Sequence, residues 1–493
     1  MRYLQITCIA LSAVVLASCM VGPDFKSPAS PRVDSYYNKS SDEASIAADA
    51  QSRIVMQDNM PQQWWQLFES PALQQLVAIG LKGSPTLAAA KAKLKATQEN
   101  FSGDRGSILF PAVDAGVNSA RKKISGAVFG GRPSIYTVHN ASVDVSYSLD
   151  LFGGGQRFIE YSEAQIEHDA FQLHAAQITL VSNIVTAAIN EASLREQVLA
   201  LKEIIASETE QLSVTEKQYE IGVVAKVDLI SQRVTLAQTR TQLPSLQKEQ
   251  AKARHQLATL IGRMPGDSEM PVFNLSELTM PGDIPLTLPS MLTHQRPDVR
   301  AAEAALHQAS AQIGVATANL YPNISLSGSY GTEAVKISDL FNGGTAVWGL
   351  GAGLLQPIFR GGALRAKKRA AIALYEQAAA QYRQSVLIAF QDVADALLAL
   401  DMDSQRKVLE VRAAELASER LDLVLLQHQQ GAVSYLDLLN AQKQYQQARI
   451  NLIQARAMLY SDTAALMYAL GGGWWNDSSH SATDKNLNVE KQQ

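Results

Sequence analysis

The chain contains one stretch twice, first as Gly222-Val223-Val224-Ala225-Lys226-Val227-Asp228-Leu229 and, 209 residues later, as Gly431-Ala432-Val433-Ser434-Tyr435-Leu436-Asp437-Leu438. The correspondence continues without a gap to Gly262 and Gly471. In each copy the first glycine predicts a turn with a positive φ angle that ends a long helix. The residues after it, rich in Gln, Ala, Leu and Arg, predict a second helix. The repeat therefore predicts two helical hairpins and a two-fold structural duplication of the chain.

The amino terminus has the features of a bacterial targeting signal. Arg2 supplies a positive charge, Ile9 to Ala17 form an apolar core, and Leu16-Ala17-Ser18-Cys19 closes the segment. This ending resembles a lipobox, which implies cleavage after Ser18 and lipidation of Cys19. Several acyl chains, at about 0.8 kcal/mol per buried CH2, would anchor the chain stably. An ordinary secretory peptide with an incidental cysteine is the alternative.

The composition argues against several classes of function. The chain of 493 residues has a formal net charge of −4, so it lacks the basic excess that suits a nucleic-acid partner. Its eight histidines are scattered without metal-ligand spacing, and the glycine-rich phrases at Gly153 and Gly361 lack the Lys-Ser/Thr of a phosphate loop. We predict no enzyme, no cofactor and no metal.

The chain is predicted to consist of five segments. They are a signal peptide (1–18), a lipidated linker (19–60), a first repeat (61–270), a second repeat (285–475) and a polar tail (476–493). Each repeat begins with a helical pattern, which we expect from Trp64 to Leu109 in the first and from Leu288 to Tyr321 in the second. Pro111 and Pro322 follow, and proline restricts the residue before it to extended geometry, so both helices should end there.

Beyond each proline the apolar period changes from 3.6 to 2, which predicts strands. Apolar residues alternate with Ser and Asp in Val143 to Leu149 and with Ser in Ile324 to Tyr330. We place one strand pair at about 111–150 and the other at about 323–357. A helix from about Tyr161 to Gly222, roughly 90 Å long, follows the first pair. Its apolar residues recur in steps of three and four, the spacing of a coiled coil.

Strands of about ten residues are long enough to cross an outer membrane, whereas no apolar run after Cys19 reaches the roughly 18 residues of a membrane-spanning helix. Four strands cannot close a barrel, and hydrocarbon does not tolerate an open edge. Two chains would give a filled barrel, and three would leave room for water, which the Ser, Asp and Gly face favours. The predicted fold class is α+β: a trimeric, shared 12-stranded transmembrane β-barrel, continued away from the membrane by a long α-helical coiled-coil bundle, which the family resemblance described next implies is a tunnel.

The chain resembles the outer membrane efflux protein family, the TolC-like channels, and within it the lipoprotein branch. The resemblance rests on Cys19 with Val21-Gly22-Pro23-Asp24-Phe25, Trp64 to Phe68, Arg296-Pro297-Asp298-Val299, both hairpin repeats and Leu470 to Trp474. It implies a homotrimer in the cell outer membrane that extends into the periplasm. It also implies a passive conduit for small molecules, with a periplasmic adaptor (membrane fusion) protein and an inner-membrane pump as partners. This branch usually serves pumps of the resistance-nodulation-division type.

Two other functions stay open at the level of sequence. The chain could be the outer membrane channel of a one-step protein secretion system, or a lipid-anchored trimeric coiled-coil surface protein. Trp64-Trp65 could line the membrane interface or pack in a collar around the helices. The basic run formed by Arg365, Lys367, Lys368 and Arg369 could meet anionic headgroups or be a solvated helix face.

Adaptor contact is predicted at the two hairpin tips, Gly222-Val223-Val224 and Gly431-Ala432-Val433. These turns end the longest helices, so they should lie farthest from the membrane, where a periplasmic partner can reach them. In the alternative interpretation each glycine serves only its turn.

A pore gate is predicted at Leu436, Asp437 and Asn440, which share one helix face because they are three and four residues apart. Three-fold symmetry would stack them into rings, where leucine gates by dewetting and aspartate favours cations. The resemblance places a leucine and aspartate constriction in this helix turn and implies that Asn440 fills one of its aspartate positions. Asp228 is a further gate candidate. The resemblance also implies that the Tyr and Arg locking some relatives are His428 and Val433 here. Alternatively, Asp437 stabilises its helix through the dipole.

Overall fold

The structure is a computed structural model that describes residues 20–31, 35–36, 53–56, 60–125, 133–267 and 269–476. The predicted signal peptide, the lipidation site Cys19 and all but the first residue of the predicted polar tail lie outside these residues. The chain forms two compact units. Of the described residues, the strand unit comprises those from Met20 to Pro28, in Lys93–Ala170 and in Ala301–Arg383. The hairpin unit comprises the described residues of Ala29–Ala92, Phe171–Arg300 and 384–476.

Eight α-helices lie within the described residues. They are α1 (Pro71–Gly83), α2 (Pro85–Leu109), α3 (Gly154–Glu220), α4 (Lys226–Leu260), α5 (Pro289–Gln295), α6 (Pro297–Ala318), α7 (Ala363–Gln429) and α8 (Tyr435–Ala469). Helices α3 and α7 have 67 residues each, and α4 and α8 have 35 each, as a duplication requires. Among these helices none combines the length and the apolar character needed to span a membrane.

Two predicted helices are broken, and the prediction of continuous helices was wrong there. The first becomes a 3-10 turn at Trp64–Phe68 followed by α1 and α2, because Glu69 is left-handed (φ 55°) and Ser84 is extended before a proline. The second is interrupted at Arg296, which Pro297 holds at a ψ of 123°. Helix α3 begins at Gly154, seven residues before the predicted start at Tyr161.

The strand unit contains one antiparallel sheet with strand order β2-β3-β5-β6. Its strands are β2 (Ala112–Ile124), β3 (Ser134–Leu149), β5 (Asn323–Ala334) and β6 (Ala346–Leu355). In the described part of the chain the outer edges of β2 and β6 are unpaired. A second, parallel sheet in the hairpin unit pairs β1 (Arg53–Met56) with β4 (Asp283–Leu286), and the sequence pattern did not predict it.

The amino-terminal segment packs onto the start of α3. The Val21 backbone N–H donates to the Phe152 carbonyl at 3.1 Å. Arg157, whose side chain is 2% exposed, donates to the Val21 carbonyl at 3.2 Å and pairs with Asp24 at 2.7 Å. The hydrogen bonds and charges of Asp24 and Glu160 raise the pKa of Arg157, although burial alone would lower it. The residues directly after Cys19 are thereby fixed within the strand unit.

Close packing explains the glycine of the Val21 to Phe25 motif. Gly22 has a φ of 103°, and a Cβ there would lie 2.5 Å from the Cα of Gly314 on α6. Phe25 stacks on the ring of His307 at 4.4 Å, and His307 lies 3.0 Å from Glu160 of α3. The motif that the sequence analysis used only for resemblance thus joins α3 and α6.

In the hairpin unit, aromatic side chains pack around the end of α8. The Trp474 indole N–H donates to the Gln295 carbonyl at 2.6 Å and its ring stacks on His174 at 4.6 Å. Trp64 is 1% exposed and packs edge-on against Phe68 at 6.4 Å. Because Trp64 is buried within this unit, it does not face lipid, which argues against the membrane-interface interpretation of Trp64-Trp65.

Candidate pore gate and adaptor-contact tips

The two hairpin turns have the same backbone geometry. Gly222 and Gly431 have φ angles of 78° and 71°, and a Cβ added to either would meet nothing within 4 Å, so only the backbone conformation requires glycine. The N–H of Val223 donates to the Gln218 carbonyl at 2.8 Å, and the N–H of Ala432 donates to the Gln427 carbonyl at 2.9 Å. Together with the glycine N–H bonds these form a Schellman motif at each helix end.

The two tips differ in the side chains that they expose. Around the first tip Ile221, Val223 and Val227 are 75%, 68% and 66% exposed, while Val224 is half-buried. At the second tip the counterparts of these three exposed residues are Gln430, Ala432 and Leu436, of which Leu436, at 65%, is the one large apolar side chain that is exposed, while Val433 is half-buried. The first tip therefore carries the larger apolar surface, which the glycine pattern alone did not indicate.

The predicted gate residues lie on one face of α8. Leu436 is 65% exposed, and Asp437 and Asn440 are also exposed. On the opposite face Tyr435 and Leu438 are buried. That face belongs to a cluster formed by Val424, Tyr435, Leu438 and Ala441. A single chain therefore leaves the three gate candidates free to meet a pore or a second copy.

Asp437 also caps its own helix. The Ser434 hydroxyl accepts from the Asp437 N–H at 3.3 Å, and the Asp437 carboxylate accepts from the Ser434 N–H at 3.1 Å, a capping box. Hydrogen bonds from the Ser434 hydroxyl and then its backbone lower the pKa of Asp437. The carboxylate therefore stays ionised at neutral pH, and it can stabilise the helix start and present a negative charge at once.

The corresponding Asp228 of the first copy has a different environment. Ala225 stands where the second copy has Ser434, so no side chain caps the start of α4. Asp228 is half-buried, and its charge, together with that of Glu208, adds to burial in raising the pKa of Tyr435. The copies have diverged at this point, which favours Asp437 over Asp228 as the exposed ring residue.

His428 and Val433 lie together at the turn between α7 and α8. His428 Nδ1 lies 3.4 Å from the Val433 carbonyl oxygen, and its ring centroid is 5.7 Å from that of Tyr435. These contacts join the end of α7 to the beginning of α8 within one chain.

A buried polar layer near the tips was missed by the sequence analysis. Glu208 of α3 is 3% exposed and accepts a hydrogen bond from the Thr239 hydroxyl of α4 at 3.1 Å. Burial raises its pKa, against the effects of Thr239 and the Arg240 charge. Gln442 of α8 donates to Gln211 of α3, which links the two hairpins. The available signal was a carboxylate on the apolar stripe of α3, where Leu201, Ile204 and Glu208 are spaced three and four apart.

The chain matches one family of known proteins over most of its length. The model described as "Outer membrane efflux protein" matches residues 76–263 and 288–472, and each matched segment contains one hairpin. The pyoverdine export outer membrane protein OpmQ of Pseudomonas aeruginosa is 29% identical over 421 residues, which cover 84% of this chain and 88% of OpmQ.

A second relative and a solved structure extend the similarity to nearly the whole chain. The toluene efflux pump outer membrane protein TtgF of Pseudomonas putida is 27% identical over 487 residues, which cover 97% of this chain and 98% of TtgF. The structure of the outer-membrane channel OprN superposes with a TM-score of 0.83 at 29% identity, covering 92% of this chain and 100% of OprN.

Proposed function

We propose that this chain, which belongs to the outer membrane efflux protein family, is the outer membrane channel of a tripartite efflux system. It conducts small molecules passively across the outer membrane from a periplasmic adaptor and an inner-membrane pump. The observation that carries this function is the four-stranded sheet, whose outer edges are unpaired among the described residues, with a 67-residue helix and its hairpin after each strand pair. Three such sheets supply twelve strands and close one barrel wide enough for water.

Channel formation is tested by two measurements on the purified full-length protein. Native mass spectrometry in detergent should find homotrimers, and planar bilayers should show stable conductance steps. A stable monomer, or trimers without conductance, would exclude the channel and favour a lipid-anchored coiled-coil protein.

The finer assignment is a pump of the resistance-nodulation-division type that exports small organic molecules. It is supported by the lipobox at Cys19 and by two relatives whose names give pyoverdine export and toluene efflux. Co-purification should recover an adaptor and a pump of this type. Recovery of a one-step protein exporter instead would indicate that the channel serves protein secretion.

Lipidation of Cys19 is expected to add diacylglycerol and an acyl chain to the mature amino terminus. Val21 and Arg157 hold the next residues within the strand unit, which would keep an attached lipid beside the strands. Mass spectrometry of the first peptide of the mature chain measures the modification, with Cys19→Ser as the control that cannot carry it. A mature wild-type chain with unmodified Cys19 would contradict the assignment.

The adaptor is expected to contact the two tips, Gly222-Val223-Val224 and Gly431-Ala432-Val433. A photo-crosslinking residue at Val223 or Ala432 should capture the adaptor more efficiently than one at Leu199 or Leu409. These controls are suitable because they are also exposed, 48% and 70%, but lie within α3 and α7 rather than at a tip. Adaptor adducts mainly at the two control positions would contradict tip docking.

A further inference from the structure

The turn that joins β6 to α7, together with the first residues of α7, combines apolar residues with a cluster of cations. Its two apolar residues, Ile358 and Phe359, are followed within ten residues by five cations: Arg360, Arg365, Lys367, Lys368 and Arg369. No Asp or Glu occurs between Asp339 and Glu376. We call the segment Ile358–Arg369 the basic turn.

The corresponding turn of the first repeat is covered by the chain itself. Phe152 stacks on Tyr321 at 4.8 Å, and its carbonyl accepts the Val21 N–H. A Cβ added to Gly153 would lie 2.5 Å from the Met20 side chain. The one arginine there, Arg157, is neutralised by two carboxylates within 2.7 Å.

The basic turn has no such cover within the described residues. Ile358 and Phe359 are 94% and 86% exposed. A Cβ added to Gly361 or Gly362 would meet nothing within 4 Å. None of the five cations forms an ion pair with a described side chain. Two copies of one turn therefore differ, because the amino-terminal segment closes only the first.

The cations are placed against the local preferences of a helix. Positive charge near a helix amino terminus opposes the macrodipole, and the first turn of α7 contains no acidic residue to compensate. Arg365 and Arg369 are four residues apart on one exposed face, where like charges repel. These cations would be stabilised by anionic groups from outside the chain that bind to them.

The apolar residues indicate what kind of anion this is. Leu354, near the end of β6, is 67% exposed and shares its strand face with the exposed Trp348 and Leu350, so Ile358 and Phe359 follow an apolar strand face along the chain. An apolar surface that runs directly into a cluster of cations matches the boundary between acyl chains and anionic headgroups. A soluble anion would explain the cations but not the exposed Ile358 and Phe359.

We propose that the basic turn binds an anionic phospholipid of the phosphatidylglycerol class in the membrane leaflet at this end of the strands. Arg365 and Arg369 would meet the phosphate, while Ile358 and Phe359 enter the acyl region. This inference rests on the proposed placement of the strands in the outer membrane. Each cation near an anionic surface strengthens binding about fivefold, so removal of two should reduce the preference for such lipid more than about tenfold.

The test uses full-length trimers in nanodiscs made from equal amounts of phosphatidylethanolamine and phosphatidylglycerol. Native mass spectrometry then compares the lipids that remain bound to the wild type, to Arg365→Gln/Arg369→Gln, and to the control Lys202→Gln/Lys217→Gln. The control removes the same charge from exposed positions on α3. Wild type and control should retain phosphatidylglycerol selectively, and the selectivity of the double variant should be more than about tenfold lower. Equal retention by the wild type, or unchanged selectivity in the double variant, would overturn the proposal.

A photo-crosslinking residue at Phe359 separates lipid from the other possible occupant, a second copy of this chain. A lipid adduct is expected, and an adduct with the neighbouring chain would overturn the proposal. Conductance measurements on the same trimers distinguish a failure of this inference from a failure of the proposed function. Trimers that conduct without lipid selectivity would refute the basic-turn inference alone, whereas trimers that do not conduct would refute the proposed function.

Discussion

The double variant Leu436→Ala/Asp437→Asn is expected to show a severalfold higher single-channel conductance than the wild type and a weaker preference for cations. Leu436 is 65% exposed on the face of α8 that a single chain leaves uncovered. In a trimer a ring of these leucines would exclude water, and a ring of Asp437 carboxylates would attract cations. Planar-bilayer recordings give the conductance, and the reversal potential in a salt gradient gives the selectivity.

Because Asp437 is part of a capping box, the substitution that tests its negative charge must keep its hydrogen bond. Asn at position 437 keeps an acceptor for the Ser434 N–H and removes only the negative charge, whereas Ala would remove both. The control Ser434→Ala removes the serine part of the cap, at a cost of about 1 kcal/mol of helix stability, and leaves the charge. We expect Ser434→Ala to leave ion selectivity unchanged. If the double variant conducts like the wild type, the gate prediction is contradicted, and stabilising the start of α8 is enough to explain Asp437.

Local sequence signals predicted the parts of this fold that depend on neighbouring residues. Gly222 and Gly431 have the positive φ angles that the repeat indicated. Glycine adopts this left-handed backbone conformation at a helix end without help from distant residues, so the residue type alone predicts it. The change to a period of two located β3 and β5, whose residues in that pattern pair with each other in register from Val143↔Tyr330 to Leu149↔Ile324. Arg296 precedes Pro297 and is extended for the same reason as the residues before Pro111 and Pro322, so the helix predicted through it is interrupted there.

Contacts between distant residues could not be predicted in this way. Arg157 meets Asp24 across 133 residues, and Gln442 meets Gln211 across 231. The spacing of residues along one helix or strand does not predict which carboxylate will pair with a given buried arginine, because that pairing depends on how separate helices pack. The exposed face of α8 could be predicted from residue spacing, whereas the cap on Asp437 depended on one serine whose counterpart in the first copy is Ala225.

Arg296 shows how one such contact organises the hairpin unit. Its guanidinium binds the Asp298 carboxylate through two hydrogen bonds, at 3.0 and 2.7 Å. It also donates to Asp392 of α7 at 2.9 Å and to the Ala469 carbonyl at the end of α8 at 3.2 Å. Burial alone would lower its pKa, but Asp298 and Asp392 raise it, so the charge is retained. One side chain therefore joins α6, α7 and α8.

Arg296→Met is expected to lower the free energy of unfolding by about 3 kcal/mol, the lower end of the range for a broken buried ion pair. The lower end applies because the Asp298 and Asp392 side chains are 42% and 36% exposed, and water can solvate them once the arginine is gone. Water cannot solvate the Ala469 carbonyl in the same way, since Ala469 is 2% exposed. Thermal unfolding in detergent, followed by circular dichroism at one scan rate, measures the loss.

Two further variants separate the ion-pair network from charge and volume. Arg412→Met makes the same substitution at an exposed position of α7, where the arginine pairs with the exposed Glu415 at 3.2 Å, and should change the midpoint little. Arg296→Lys keeps the charge but lacks the planar fork that binds Asp298 twice, so its midpoint should lie between those of Arg296→Met and the wild type. If Arg296→Met unfolds at the same temperature as Arg412→Met, the network contributes no net stability and its carboxylates are adequately solvated without the arginine.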